Sequence, residues 1–488
     1  MVKAVVGDEA QLQLAEERIF ESVVPQIGLL IGKLSLALDR GFIFDLVPTP
    51  LNDAGEPACS LPGTSSRDDK KKGSKSKQLP SDAPVLCIDN DWVAEHARQV
   101  SRMLVGGVMV IGIYVYVSDS TFKNSSTILC QTLKSVSVAA PLVSAIHDER
   151  LLVHICSSPR RWNCRTFMVS SSITPSSLRP CDLKMGKVLS YLLTFKCIYH
   201  FELRLPVGKE GLTSVSAFND ILRDGMSCLA RDLTAAMALV DGKLIDNEEL
   251  STPDGRSYDL ELLLPFMKNT PSEAFTQKDI VGVILWKGSV CSYAYANGKE
   301  SVSQAIADIK DDIIRTLRSR LDIICEAEDD VDASDDTARG EVEGKPNRGS
   351  VTSTVLRSLR EKCVLSLPRR VFVPWVGGIY LCDYLQRMET REAVKEHCAE
   401  IFSMEVPLDM PAILEPETEA AFSVANGFWE IAVPENTLSI PAASNRERDA
   451  VNNQSDAGLR RFLTFNLVTA AFFVFLSILF GLVVAKWH

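Results

Sequence analysis

The segment Phe462–Ala485, FLTFNLVTAAFFVFLSILFGLVVA, carries no charge and constrains this chain more than any other stretch. At roughly 1.5 Å per helical residue it covers about 36 Å, enough to cross an ~30 Å hydrocarbon core with some tilt. Its bulky positions, Phe462, Leu467, Phe472, Phe475, Leu479 and Val484, point all round a helix and run on to Ala485. With no polar face, a lipid-facing span is favoured over a core helix. Arg460 and Arg461 precede it, Arg446 and Arg448 lie a little upstream, and Trp487 stands where an interfacial aromatic would sit. Basic flanks of this kind favour the cytosolic side. The expectation is a tail-anchored, single-pass membrane protein, with residues 460–488 as the anchor and the rest in the cytosol.

The body expected from the remaining residues is globular, with room for two or three domains: 46% of the chain is hydrophobic and 24% charged. A net charge of −11, with no compensating basic face, argues against nucleic acid as the main partner. The amino-terminal stretch carries acidic residues and lacks an apolar h-region, so it does not read as a signal peptide. The thirteen cysteines are scattered, the closest pair being Cys156 and Cys164, and no C-x-x-C occurs. That pattern fits reduced thiols in a cytosolic body. Under this topology the sequons at Asn124 and Asn453 carry no glycan.

Ile27–Ile31 and Phe42–Val47 read as strands around the turn Asp39-Arg40-Gly41. A polar insert at 57–84, holding RDDKKKGSKSK, cannot support a core. Asn90 or Asp91 caps a helix to Leu104, with Val93, Ala97, Val100 and Leu104 on one stripe. Gly106-Gly107 ends it, and Val108–Val117 follows as a strand buried on both faces. A helix over Thr121–Ala139 and a hairpin of Leu151–Cys156 with Cys164–Val169 complete a first α/β domain, 1–205. A second α/β region spans 206–325, with strands Thr194–Leu205, Val281–Trp286 and Val290–Ala296 around the border and an amphipathic helix from Val302 to Cys325. An acidic linker (326–352), a hairpin and helix completing the second region (353–410) and an irregular spacer (411–459) lead to the anchor.

The chemistry is sparse. The six histidines form no H-x-H or H-E-x-x-H group, so no zinc site is signalled. His154 and Cys156 share a strand face by default, and a cysteine nucleophile would also need an orienting Asp or Asn. No G-x-S-x-G, dinucleotide fingerprint or P-loop occurs. The reading is a protein that is no enzyme and takes no cofactor or small-molecule substrate. Its rival is a membrane-surface hydrolase or isopeptidase using Cys156 and His154, or a metal that the spacing does not signal.

Four islands carry a resemblance: Leu29-Leu30-Ile31-Gly32; Trp92, Glu95-His96 and Gln99–Leu104 with Gly106-Gly107; His154-Ile155-Cys156 with Cys164-Arg165-Thr166; and Arg370–Pro374 with Leu381–Tyr384. In order and in the terminal anchor the chain resembles the odorant-response-abnormal protein 4 family. That resemblance implies an endoplasmic-reticulum protein with its body in the cytosol, a role in membrane-protein biogenesis and receptor trafficking, and association with the ubiquitin-fold-modifier-specific protease. The family is also similar to MPN domains, whose active members carry the zinc isopeptidase motif G-W-Y-H-S-H. Laying Gly112-Ile113-Tyr114 on its start puts Val115 and Val117 at the two histidine positions, and valine has no lone pair to bind metal. The implied fold is α/β (α+β): an MPN-like mixed sheet flanked by helices, a second α/β region and one transmembrane helix. On the Trp92–Leu104 helix, Glu95, Arg98, Gln99 and Arg102 form the candidate partner face.

Overall fold

Strands that are apolar on both faces need a covering layer on each side, and the first half of the chain supplies both. The computed structural model describes residues 2–21, 25–35, 37–62, 84–142, 148–208, 215–244, 256–264, 280–335, 368–404, 413–417 and 421–425, all within the unit Met1–Ala432. Strand β1 (Ala4–Asp8) enters helix α1 (Glu9–Glu21), and the hairpin β2 (Gln26–Ser35) and β3 (Arg40–Pro48) follows. Its turn passes through Asp39 at φ +50°, a left-handed conformation that short polar side chains tolerate. A short pair, β4 (Cys59–Ser60) and β5 (Cys87–Ile88), leads to helix α2 (Asn90–Met103) and the buried strand β6 (Met109–Tyr116). Helices α3 (Asp119–Asn124) and α4 (Ser126–Ala139) come next, then strands β7 (Glu149–Ser157), β8 (Arg160–Met168) and β9 (Leu178–Gly186).

These strands close into a barrel in the order β1-β3-β2-β6-β7-β8-β9, sealed by β1 pairing in parallel with β3 and β9. Strand β6 divides its side chains between two faces, with the phase shifted where Ile111 bulges against β2: Ile113 and Val115 join the core under α2 and α4, with Val93, Val100, Leu129 and Leu133. On its other face Ile111 and Tyr114 pack with Leu12, Ala15 and Ile19 of α1. Burying such side chains stabilises the fold by about 1.5–3 kcal/mol each.

The second sheet draws on strand β10 (Leu192–Gly208), helix α5 (Val215–Ala235), strands β11 (Met237–Val240), β12 (Lys243–Leu244), β13 (Ser257–Leu263) and β14 (Ile280–Asn297), then helix α6 (Val302–Asp335). After it come strands β15 (Arg369–Pro374) and β16 (Tyr380–Leu385), helix α7 (Arg391–Phe402) and strand β17 (Ala421–Ala425). The sheet order is β12-β11-β13-β10-β14-β17, and β10 pairs antiparallel with β14 from Leu192↔Asn297 to Gly208↔Ile280. Ile309, Ile313, Leu317 and Leu321 of α6 bury against it, as their helical spacing predicts.

The structure moves several expected borders. Strand β10 belongs to the second sheet, so the first unit of structure ends with β9 rather than at residue 205. The two strands expected between Val281 and Ala296 are one, because Lys287-Gly288-Ser289 stays in register with Glu202, Phe201 and His200 instead of turning. The expected helix Thr121–Ala139 breaks at Ser125, and Asp89, one residue before the expected caps, accepts from the Trp92 amide. Ala58 and Cys59, inside the expected polar insert, are buried. Helix α6 runs on to Asp335 through most of the acidic run assigned to a linker. The β15–β16 hairpin, expected to complete the second region, shares the core of α2 through Val371, Phe372 and Leu381. Part of the expected spacer is structured: Leu414 bridges Phe372, and β17 adds to β14. The anchor residues, from Phe462 to Ala485, lie outside the described residues. Among the described residues no helix is long and apolar enough to cross a membrane.

Buried ions fasten the layers. Lys33 of β2 donates to Asp308 of α6 at 2.7 Å and to the Tyr295 carbonyl at 3.0 Å. Arg370 of β15 pairs with Asp312 at 2.6 Å, and Arg320 with Glu417 at 2.7 Å. The α2–β6 turn lies hard against β14: Gly106 has φ +51°, and a Cβ there would fall 1.7 Å from the Tyr293 carbonyl oxygen. Only glycine fits that approach.

Candidate functional site

Helix α2 buries Val93, His96, Ala97, Val100 and Met103, so the residues between them must face outward. Arg98 and Arg102 are exposed, while Glu95 and Gln99 are half-buried. Glu95 accepts from Arg98 and, at 3.3 Å, from Gln99, so part of the predicted face satisfies itself. Arg98 and Arg102 continue onto a surface that sequence spacing gave no hint of. They line a small cavity of about 140 Å³ with Arg315 and Ser319 of α6. Arg315 and Ser319 also border a larger cleft of about 820 Å³, shared with Arg231 of α5, Arg318 of α6 and Leu142. Its floor is apolar, with Ile314 and Ala230.

Five guanidinium groups from three helices therefore line two adjoining cavities that share Arg315 and Ser319, a groove whose larger part also carries Asp311, on a chain of net charge −11. Arg315 is steadied by the Leu104 carbonyl at 3.4 Å and by Asp312 at 3.2 Å. Asp312 itself is engaged by Arg370 beneath the groove. Among the described residues neither Arg102 nor Arg318 has an acidic partner. The groove can take carboxylate-bearing chain along its rim and apolar side chains on its floor, and Arg is well suited to bidentate carboxylate recognition. The α2 arginines were legible from their exposed spacing. Arg231, Arg315 and Arg318 were not, because only tertiary packing brings α5 and α6 beside α2.

A second cluster lies at the α3 end of the barrel. Strand β7 puts His154 beside Val115 of β6, in parallel register. Val115 is fully buried and Val117 nearly so, both within the apolar core, so neither side chain offers a metal a lone pair. Val117 contributes its carbonyl instead, which lies 3.0 Å from His154 Nε2. The imidazole stacks on Phe122 at 4.1 Å between ring centroids. Its Nδ1 is 3.8 Å from Asp119 Oδ1, and Cys156 Sγ lies 3.5 Å from the Ser158 carbonyl. Asp119 is also ion-paired to Arg161. Burial pushes the His154 pKa below the ordinary 6.5, and the Arg161 hydrogen bond pulls that of Asp119 below the carboxylate range.

The orienting carboxylate that His154 and Cys156 lacked in sequence is therefore present, carried in by α3. Its geometry is not that of a nucleophile relay, which needs one ring nitrogen on the thiol and the other on the carboxylate. Here Nε2 is committed to a backbone carbonyl, and one nitrogen is left for both groups. Cys156, like the other cysteines whose side chains are described, is a free thiol.

A family model described as odorant response abnormal 4-like matches residues 28–411. Curated relatives include a protein odr-4 homolog of Xenopus tropicalis, 26% identical over 94% of this chain and 96% of its own length. The mouse homolog is 26% identical over 81% of this chain and 82% of its own. The human one is 27% identical over 69% and 73%. Among solved structures, UfSP from C. elegans aligns at a TM-score of 0.35 and 9% identity, over 83% of this chain and 57% of that one.

Proposed function

The chain belongs to the odorant response abnormal 4-like family, and from that premise we propose a non-catalytic, tail-anchored adaptor whose body works in the cytosol at the endoplasmic-reticulum surface. In this reading Phe462–Ala485 is the membrane span, and the groove beside α2 holds an acidic segment of a partner protein. The partner proposed is the ubiquitin-fold-modifier-specific protease, brought beside membrane-protein clients such as receptors during their folding and trafficking. Anchoring works by concentration: a partner confined next to its membrane substrates gains effective molarity without new contacts to them. The barrel is read as MPN-like, with Val115 and Val117 standing where an active isopeptidase holds its metal.

The observation that carries this reading is the five-arginine groove, open at the surface and floored by apolar side chains. An exposed charge pair at 4 Å in water is worth about 1 kcal/mol, so reversing two arginines removes two attractions and adds two repulsions. Full-length protein in detergent is titrated with the purified protease, comparing wild type with Arg102→Glu/Arg318→Glu. The double variant should bind at least about tenfold more weakly, and wild-type binding should fall as salt rises. Equal affinities would remove the groove from the interface. A wild type that does not bind the protease would remove the partner.

A further inference from the structure

The Asp119–His154–Cys156 cluster is badly arranged for acid–base relay but well arranged for something simpler. One ligand atom from each of the three residues lies within 4.8 Å of the others. They come from two separate elements: His154 and Cys156 from one face of β7, Asp119 from the start of α3. A carbonyl oxygen only accepts, so the bond to Val117 fixes the proton on Nε2 and leaves the lone pair on Nδ1. That lone pair belongs to a side chain only 2% exposed, and it faces a carboxylate, an acceptor facing an acceptor. Such a pairing is repulsive unless a proton or a metal cation lies between them.

We propose that Asp119, His154 and Cys156 together bind a divalent cation of the zinc class through Oδ1, Nδ1 and Sγ. A nitrogen, a thiolate and a carboxylate form the mixed donor set that zinc prefers over calcium or magnesium. Tetrahedral zinc wants its ligand atoms about 3.3–3.6 Å apart, given bond lengths near 2.0–2.3 Å. The Asp119–His154 distance of 3.8 Å is already close, and Asp119, partly exposed at the start of α3, can swing inward once Arg161 releases it. The Val117 carbonyl supplies the outer contact by which metal-binding histidines are usually oriented. Three protein ligands leave the fourth position to water.

Charge balance sets the condition for binding. Cys156 releases its thiol proton to solvent as the sulfur–metal bond forms, so a +2 ion raises the local charge by one. Arg161 must then leave Asp119, and its side chain, 47% exposed, has water to move into. Arg165 remains over the Phe122 ring at 5.3 Å and contributes a standing repulsion. Affinity should therefore rise with pH as the thiol proton is surrendered.

The test uses full-length protein in detergent, stripped with chelator under reducing conditions and titrated with Co²⁺ alone. Wild type should develop a thiolate-to-cobalt charge-transfer band that saturates near one equivalent. Because the chain has other thiols, the readout is the difference from Cys156→Ser, which should lack that band. Asp119→Asn changes a partly exposed group at little cost to folding and should weaken Co²⁺ binding at least about tenfold, with an unchanged circular-dichroism spectrum. Identical titrations in wild type and Asp119→Asn, or a band retained in Cys156→Ser, would overturn the site.

Discussion

Replacing Lys33 with methionine tests whether the barrel and the second sheet are held by a buried charge. Lys33 sits on β2, its side chain 4% exposed, and reaches Asp308 at 2.7 Å and Glu300 at 3.3 Å. Those carboxylates are themselves 9% and 2% exposed. Methionine keeps the apolar stem and removes the cation, leaving two acids facing each other without water. Breaking a buried pair in this way costs about 3–5 kcal/mol, a large part of the ~5–15 kcal/mol that holds a typical domain. Burial pulls the Lys33 pKa down, but Asp308 and Glu300 outweigh it and raise the pKa above the ordinary 10.5. A raised folded-state pKa means the stabilisation is complete below pH ~10.5 and disappears as pH climbs through the folded value. Urea unfolding at neutral pH should place Lys33→Met about 3–5 kcal/mol below wild type, with the gap narrowing above pH ~10.5. Adding Asp308→Asn and Glu300→Gln should recover part of the loss. A single variant costing under ~1 kcal/mol at neutral pH would refute the reasoning, because two stranded carboxylates cannot be that cheap.

Gly106→Ala should destabilise by about 2–5 kcal/mol, combining a left-handed alanine with collision against the Tyr293 carbonyl. Unfolding at an unchanged urea midpoint would mean that the turn does not touch β14. His397 lies 2.9 Å from Asp383; burial lowers its pKa, but that hydrogen bond and nearby carboxylates raise it above the ordinary 6.5. Its stabilising contribution is present below pH ~6.5 and fades as pH rises through the folded value. In an NMR titration Asp383→Asn should lower the His397 midpoint, and a midpoint that stays put would show that Asp383 is not its partner.

Periodic features were the readable ones. The β2–β3 hairpin, the two-sided burial of β6 and the apolar stripe of α6 all follow from spacing, and each appears where its pattern puts it. What spacing could not supply was pairing over long separations. Lys287-Gly288-Ser289 looks like a turn until β10 lies alongside and satisfies its backbone. The β15–β16 hairpin was visible as a hairpin, but its packing on α2 depends on contacts such as Cys382 Sγ to the Arg102 carbonyl, 280 positions apart. The same holds for function. Two of the five rim arginines were visible on α2, and the three on α5 and α6 were not. His154 and Cys156 declared themselves by a two-residue interval, whereas Asp119 arrives only when α3 turns back after Val117.

The sealing of the barrel has a consequence for how the chain is made. Strand β1 finds its second neighbour only once residues 182–186 exist, and Lys33 has no counter-ion until Glu300 and Asp308 emerge. Throughout that interval during synthesis, a lysine and the unpaired edge of a strongly apolar sheet must stay hydrated or guarded. Nascent chains with such late-arriving neighbours are prone to aggregate and rely on chaperones. A protein built this way is itself a demanding client of the folding machinery.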